Sequence, residues 1–516
     1  MTSTPRTAGI LLHPTSLPGR HGIGDLGNGA RSFIEFLRRS GLGLWQILPL
    51  VPAGPCESPY SSCSALAGNE LLIDLDQLVE AGLLSAADAQ GPTAALDAVD
   101  VEVVNGFKRE ALRTAARNLR QKPHHPFHGT RARFLEENPW VSDFALFMAI
   151  KGHVGGVPFW DWEPALRDRD PSALRAVAQE LGNEIDDVIT LQAIFDVQWR
   201  AIRAHATEAG VRIIGDVPLY VDADSADVWM SRASFQLDAE GHPAALAGAP
   251  PDYFSETGQL WGNPIYDWAE LAKTGHGFWV QRMRRMMQQA DLIRIDHFRG
   301  LSAYWDTPPG SQDARAGRWV KGPGRRLFED LEAALGPLPL IAEDLGLIDD
   351  DVRALKASLG LPGMHVLQFA FGDDNQNLYL PHNHDENAVV YTGTHDNDTT
   401  LGWWQNAPAH VREHARRYLG IDGQNIAWQL TRAAFASVSR MAIVPMQDVL
   451  SLDGRCRMNT PGLAKGNWGW RVRIDAFNDD VAGRLRTLAQ MYDRDIALRQ
   501  HLLAREAATK AAAVSA

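Results

Sequence analysis

Cysteine is nearly absent from this chain: Cys56, Cys63 and Cys456 are all it has among 516 residues. Three thiols build no disulfide framework, and none forms a C-x-x-C pair of the kind that marks a zinc site. Such usage suits a reducing compartment, and a cytoplasmic location is expected. Long apolar runs are also missing. Nothing approaches the roughly 18 residues of a membrane helix, so no membrane partner is expected. The stretch Ile10-Leu11-Leu12, broken by His13-Pro14, is too short for a signal-peptide core. Positive charge is not in excess either. Fifty Lys and Arg face 63 Asp and Glu, for a net charge of −13. That balance argues against a general nucleic-acid binder, which needs a basic face for phosphates. Internal repeats and low-complexity linkers are lacking too. A 45% apolar share excludes disorder as the main state. What is plentiful is tryptophan, 16 residues, a type suited to ligands with flat apolar faces such as sugars or nucleobases. Any single Trp can equally serve the core.

Eight short apolar runs recur: Gly9–His13, Leu44–Pro49, Val211–Asp216, Leu292–Asp296, Leu338–Glu343, Met364–Phe369, Ala388–Thr394 and Met441–Gln447. They are continuous rather than alternating, which is how strands buried on both faces read. Helical patterns separate most of them, at Ala30–Ser40, Phe278–Gln289, Arg325–Leu335, Asp350–Leu359 and Ala409–Tyr418. This alternation predicts an α/β fold, a (β/α)8 TIM barrel. The second and third runs lie about 160 residues apart, and the gap is rich in helical patterns. It predicts large helical insertions, residues 60–205, between early strands. Residues 220–274, rich in Pro, Gly and aromatics, predict an irregular lobe over the active-site face, carrying a loop at 250–264. The tail from Arg486 predicts a last helix and an Ala-rich fraying end. One elaborated barrel over residues 1–516 fits better than three separable domains.

Two patterns are decoys. Gly22-Ile-Gly24-Asp-Leu-Gly27 spells a dinucleotide fingerprint, but the next strand ends in Pro49 with no carboxylate for a ribose. A tight turn that lets chains approach is the better reading. The His124, His125, His128 group and the His382, His384 pair lack metal-ligand spacing and read as solvated loop histidines.

The chemistry lies where carboxylates fall. Asp216, Asp296, Glu343 and Asp396 each end or follow an apolar run, and in a barrel all such ends meet on the C-terminal face. One strand-end Asp can be a helix cap or an ion-pair partner. Four on one face, beside Arg294 and His395, point to a divalent metal or to glycosyl transfer, because unpaired buried carboxylates are strongly disfavoured. Glycosyl transfer needs two carboxyls with different tasks: one attacks, and one holds a proton for the leaving oxygen. Arg294, two residues before Asp296 on the same strand face, would keep Asp296 ionised as nucleophile. Glu343 would then be the acid/base, and Asp396 beside His395 would bind ring hydroxyls.

Motifs over nearly the whole chain resemble those of amylomaltases, the 4-α-glucanotransferases of the α-amylase clan. They are His13-Pro-Thr-Ser-Leu-Pro-Gly19, Trp45-Gln-Ile-Leu-Pro49, Ser58-Pro-Tyr60, Gly215-Asp-Val-Pro218, Pro250-Pro-Asp-Tyr-Phe-Ser255 and Gly258-Gln-Leu-Trp-Gly-Asn-Pro264. They continue as Arg294-Ile-Asp-His-Phe-Arg-Gly300, Ala342-Glu-Asp-Leu-Gly346, Thr394-His-Asp-Asn397, Arg457-Met-Asn459 and Gly466-Asn-Trp468. Each is weak alone; their shared order and spacing are specific. The resemblance implies Asp296 as nucleophile, Glu343 as general acid/base and Asp396 as transition-state stabiliser. It implies that Asp216, Arg294, His297 and His395 line the donor side. Gln259 and Trp261 would touch glucan from a loop arching over the cleft, and Ser58 and Tyr60 would border the acceptor side. Asp373 and Asn459 match further sugar-binding positions. The implied reaction is retaining double displacement between an α-1,4-glucan donor and a glucose or maltooligosaccharide acceptor. No metal or organic cofactor is implied. In a retaining pair the two carboxyls stand about 5–5.5 Å apart. Three other readings compete: a glucan hydrolase of the same clan, a non-catalytic glycan-binding barrel, and a metal-dependent barrel lyase or phosphohydrolase.

Overall fold

All eight apolar runs form strands in the computed structural model, which describes residues 6–54, 57–251, 255–496 and 498. In chain order the strands are β1 (Thr7–Leu11), β2 (Leu44–Gln46), β3 (Arg212–Val217), β4 (Leu246–Ala249), β5 (Gln259–Pro264) and β6 (Leu292–Ile295). Then come β7 (Ala303–Thr307), β8 (Arg318–Lys321), β9 (Leu340–Ala342), β10 (Gly363–Val366), β11 (Ala388–Tyr391) and β12 (Met441–Pro445). The eight predicted strands pair in parallel in the order β10-β11-β12-β1-β2-β3-β6-β9. The Ala342 amide donates to the Pro362 carbonyl at 2.9 Å, bringing β9 back against the start of β10. This is the nearly closed (β/α)8 barrel that the alternation predicts.

Burial on both faces explains the continuous apolar runs. Leu11, Leu44, Ile214, Ile341, Met364, Val366, Val389, Tyr391 and Ile443 pack together in one cluster. Their strand neighbours Ile10, Trp45, Ile213 and Ile293 join the second, larger cluster that includes the surrounding helices. Successive strand residues point to opposite faces, so an all-apolar strand is required. Helices at Asn28–Arg39, Gly277–Gln289, Arg325–Leu335, Asp350–Ser358 and Ala409–Leu419 match the predicted ones closely.

The helical insertion is present, with helices at Arg109–Arg120, Phe127–Glu137, Trp140–His153, Pro171–Glu180 and Gly182–Glu208. The last helix fastens the insertion to the barrel. Gln192 exchanges two 2.8 Å hydrogen bonds with the backbone of Gly68, and Gln198 does the same with Asp74 at 2.8 and 3.1 Å. Both glutamines are buried, so their amides replace water for backbone groups that have no ladder partner.

Two expectations need correction. The segment 220–274 is not an irregular lobe: β4 and β5 join β7 and β8 in a four-stranded antiparallel sheet, order β5-β4-β7-β8. Its strands escape a pattern reading because Leu246-Ala-Gly-Ala249 has no β-branched residue and Arg318-Trp-Val-Lys321 is only four residues long with a charge at each end. Among the described residues, the helix that contains Arg486 is Asp479–Met491, starting seven residues earlier, with the Asn478 side chain accepting from the Val481 amide as N-cap. The Ala-rich end, Cys56 and residues 252–254 of the predicted loop lie outside the described residues. The glycine decoy resolves as expected. A Cβ on Gly24 would sit 2.1 Å from the Pro14 carbonyl, so only glycine allows the two turns to touch.

At the opposite end of the barrel, the buried Arg494 guanidinium donates to five carbonyls, of Phe435, Thr7, Arg440, Ser437 and Ser439, at 2.7–3.1 Å. Removing it orphans buried acceptors. Arg494→Met is expected to lower stability by about 2–4 kcal/mol, read as a fall in denaturation midpoint; an unchanged midpoint would show these carbonyls to be solvated.

Candidate active site

Asp216 on β3 and Arg294 on β6 are side by side in the register, Asp216 opposite Arg294. The Arg294 Nη1 donates to both Asp216 carboxylate oxygens, at 2.8 and 2.7 Å. Its Nη2 lies 2.9 Å from Asp296 Oδ1. One guanidinium therefore joins two carboxylates on neighbouring strand ends. Asp216 is completely buried, and it also accepts from the Tyr60 hydroxyl at 2.8 Å. Burial pushes the Asp216 carboxyl up, while Arg294 and Tyr60 oppose that shift. Burial likewise disfavours the Arg294 charge, but Asp216 and Asp296 outweigh it and hold the guanidinium well above its ordinary range.

Glu343 follows β9 and is held differently. Its Oε1 accepts from the Leu345 amide at 2.9 Å and its Oε2 from the His297 amide at 2.7 Å. The His297 backbone reaches it because His297 adopts a left-handed φ of 50° directly after Asp296. Burial pushes the Glu343 carboxyl up to about 8; Arg294 opposes the shift and Asp296 reinforces it. Glu343 thus carries a proton at neutral pH, beside an aspartate paired with a guanidinium. That is the division of labour that glycosyl transfer needs.

Asp396 completes the group. Its Oδ1 accepts from the Asn459 amide at 2.6 Å, and its Oδ2 lies 3.3 Å from His395 Nε2. The Tyr60 ring stacks on His395 with centroids 5.1 Å apart and planes 7° apart, and Trp468 packs on both rings. Tyr60 therefore ties the Asp216 side of the cleft to the Asp396 side. Ser58 accepts from the Tyr60 amide at 3.2 Å and fixes its turn.

From β5, Trp261 sets its ring against the edge of His297, 4.8 Å between centroids, and its indole N–H donates to Gln259 at 3.1 Å. Trp261 stays 37% exposed, which leaves ring surface for a ligand. Burial pushes the His297 imidazole down to about 4, and its buried Nε2 has no partner. A neutral ring with an unmet nitrogen suits a sugar hydroxyl. The structure thus brings Tyr60, Asp216, Gln259, Trp261, Arg294, Asp296, His297, Glu343, His395, Asp396 and Asn459 into linked contacts, with Ser58 behind Tyr60. Asp373 stands apart from this network: it is exposed and accepts from Asn377 at 3.2 Å.

Several residues here had no role assigned from sequence. Arg457 donates from Nε to the Asn459 carbonyl at 2.6 Å and from Nη2 to the Asp396 carbonyl, bracing the Asp396 loop. His13 is buried, its Nδ1 accepts from the Leu48 amide at 3.3 Å, and burial with the nearby His395 pushes it down to about 3. Their motifs were visible, but not which members face the cleft. Of the decoy histidines, His124 is exposed as expected, whereas His125 and His128 are half-buried with ring nitrogens 2.8 and 3.0 Å from the Ala81 and Lys122 carbonyls, and His384 is buried and stacks on His365 at 4.3 Å. Among the described residues no group of three or more His, Cys, Asp or Glu is arranged to hold a metal ion.

Fold and site together define the class: a (β/α)8-barrel protein with a carboxylate-lined cleft at the strand C-terminal ends. Comparison with known proteins is more specific. Residues 12–476 match the family model described as 4-alpha-glucanotransferase. The chain is 45% identical to the 4-alpha-glucanotransferase of Thermus thermophilus over 95% of its own length and 99% of that protein's. It is 43% identical to a chloroplastic/amyloplastic 4-alpha-glucanotransferase of Arabidopsis thaliana over 95% of this chain and 86% of that one. The amylomaltase of Streptococcus agalactiae, solved in complex with acarbose, superposes with a TM-score of 0.92 at 38% identity, covering 95% of this chain and 99% of that one. The chain belongs to the 4-alpha-glucanotransferase family.

The Glu343 environment makes two expectations. In the proton-donor role that the resemblance implies, Glu343 must be protonated, so kcat/KM is expected to fall as pH rises through about 8. An unshifted alkaline limb in the pH profile would contradict the assignment. Stability carries the same signature. Between the ordinary value of 4.5 and about 8, the folded chain keeps a proton that the unfolded chain releases, so this group's contribution declines as pH rises. Glu343→Gln is therefore expected to melt above the parent protein at pH 8, with the gap shrinking toward pH 5. A pH-independent gap would show that the carboxyl is not perturbed.

Proposed function

We propose that the cleft transfers α-1,4-glucan segments between maltooligosaccharides or starch-type glucans by retaining double displacement. The observation that carries this reading is the contrast between Asp296, paired with Arg294, and Glu343, protonated by burial. Arg294 holds Asp296 Oδ1, so Oδ2 is the oxygen left to attack the anomeric carbon. As the C1–O bond of the donor breaks, the Glu343 proton passes to the departing 4-oxygen, and a β-linked glucosyl ester forms on Asp296. The 4-hydroxyl of an acceptor glucan then gives its proton to Glu343 and attacks C1. The ester bond breaks, Asp296 is released, and a new α-1,4 bond remains.

Asp396 contributes by gripping ring hydroxyls, with Asn459 and His395 fixing both of its oxygens. Positive charge grows on the sugar ring in the transition state, and an anion held in place favours it without reorganising. Trp261 offers exposed ring surface beside His297, whose buried Nε2 has no hydrogen-bond partner. Transfer in place of hydrolysis requires that water be kept from the ester while an acceptor sugar is bound. Strand β5, which sets Trp261 against His297, is our candidate for that cover. The substrates are thus a glucan donor and a glucose or maltooligosaccharide acceptor, and the setting is a reducing compartment such as the cytoplasm.

The test is incubation with maltotriose in EDTA, separating products by chain length. The expected outcome is glucose plus a ladder of longer maltooligosaccharides, abolished in Asp296→Asn. Glucose and maltose without longer chains would replace the transferase by a hydrolase. No turnover until a divalent metal is restored would favour the metal-dependent reading.

A further inference from the structure

The sheet formed by β5, β4, β7 and β8 carries an aromatic surface that the transfer chemistry does not use. Trp305 and Trp319 face each other across β7 and β8, with centroids 5.1 Å apart and planes at 74°. Trp305 is spoken for: its indole N–H donates to the Ala314 carbonyl at 2.8 Å. Trp319 is 40% exposed. Its ring is nevertheless fixed, because the Arg299 guanidinium lies 3.7 Å from its centroid. Arg299 is itself only 6% exposed. It donates to the Leu347 carbonyl and lies 3.2 Å from the Asp349 carboxylate. The indole is therefore backed by a pinned cation and met by the Trp305 ring, and the rest of it is open.

The tethers say where this platform stands. Arg299 follows Asp296 by three residues, and Leu347 follows Glu343 by four. Both loops that supply the reacting carboxyls thus reach out to the same tryptophan. Leu347 is 52% exposed, and Lys321, which shares the Trp319 face at two residues' spacing, is exposed as well. A rigid indole with an apolar and a cationic neighbour matches a glucose unit, whose C–H face stacks and whose hydroxyls accept from an ammonium. A tryptophan used only for sheet stability would more usually be covered.

We propose that Trp319 is an auxiliary glucan-binding platform, seating a glucose unit of a long α-1,4-glucan whose other end occupies the transfer cleft. The ligand class rests on the function proposed above; the platform does not. Two variants separate an aromatic platform from a structural residue. Trp319→Tyr keeps a flat ring, and Trp319→Leu keeps apolar bulk over Arg299 without one. In native gels containing amylose, Trp319→Leu is expected to migrate faster than the parent protein, and Trp319→Tyr to stay largely retarded. The KM for amylose is expected to rise about tenfold more than the KM for maltotriose in Trp319→Leu, since losing a stacked ring is worth about 1.4 kcal/mol. Equal retardation of both variants and the parent would overturn the proposal.

A variant-free measurement covers the case in which Trp319→Leu misfolds. Hydroxyl-radical oxidation of the parent protein, read on the Trp319 peptide, is expected to slow with amylose but not with maltotriose. Undiminished oxidation in amylose overturns the platform. The two readings fail separately: a normal transfer ladder without Trp319 protection removes only the platform. Trp319 protection without a transfer ladder removes only the transferase.

Discussion

One buried cation organises the cleft. The Arg294 guanidinium bridges Asp216 and Asp296 across two strand ends, and nearly every other feature of the site follows from it. Two carboxyl groups this close, with one wholly inside the protein, are costly to hold together without a shared cation. Its five fixed donors let it serve both partners in one plane, which a lysine ammonium would not do. The barrel makes the arrangement available, because neighbouring parallel strands bring Asp216 and Arg294 level in the register. Tyr60 then adds a hydroxyl to Asp216 and passes the constraint on, through its stack with His395, to Asp396.

Glu343 is the counterpart of that pairing. It has no ion pair of its own, and its burial outweighs the two backbone amides and Arg294, which favour the charged form, so its carboxyl is pushed up to about 8. The left-handed turn at His297 matters here, since it aims one of those amides at Glu343 immediately after Asp296. A single residue thereby couples the two carboxyl-bearing strands. The same turn presents an imidazole with a free nitrogen toward Trp261. Backbone conformation, proton inventory and sugar-facing surface are thus settled within three consecutive residues, 296–298.

The antiparallel sheet beside the barrel gives these loops a second frame. Trp261 approaches the cleft from β5, and Trp319 stands on β8, held by Arg299 from the Asp296 loop and, through Arg299, by the Glu343 loop. The sheet is thereby joined to the loops that carry Asp296 and Glu343. Rigid placement of ring surfaces at both points favours polymer substrates over small ones, because each glucose unit that stacks adds binding energy without further ordering of the protein.

Much of this was legible in the chain itself. Eight continuous apolar runs announced strands buried on both faces, and their polar ends placed Asp216, Asp296, Glu343 and Asp396 together, because the topology of a barrel leaves little choice. The i, i+2 spacing of Arg294 and Asp296 announced their pairing. Motif order identified the family. What sequence could not decide was which partner each group would meet across long separations. Asn459 on Asp396, Tyr60 on Asp216 and His297 on Glu343 are contacts between segments that the chain keeps 46 to 156 residues apart. The antiparallel sheet was invisible for a related reason. Its strands are only four to six residues long, and β4, which lacks strand-favouring residues, forms by pairing with β5 and β7 in space. Local pattern specifies elements whose burial is periodic; only packing specifies hydrogen-bond partners, the proton on Glu343, and the exposed face of Trp319.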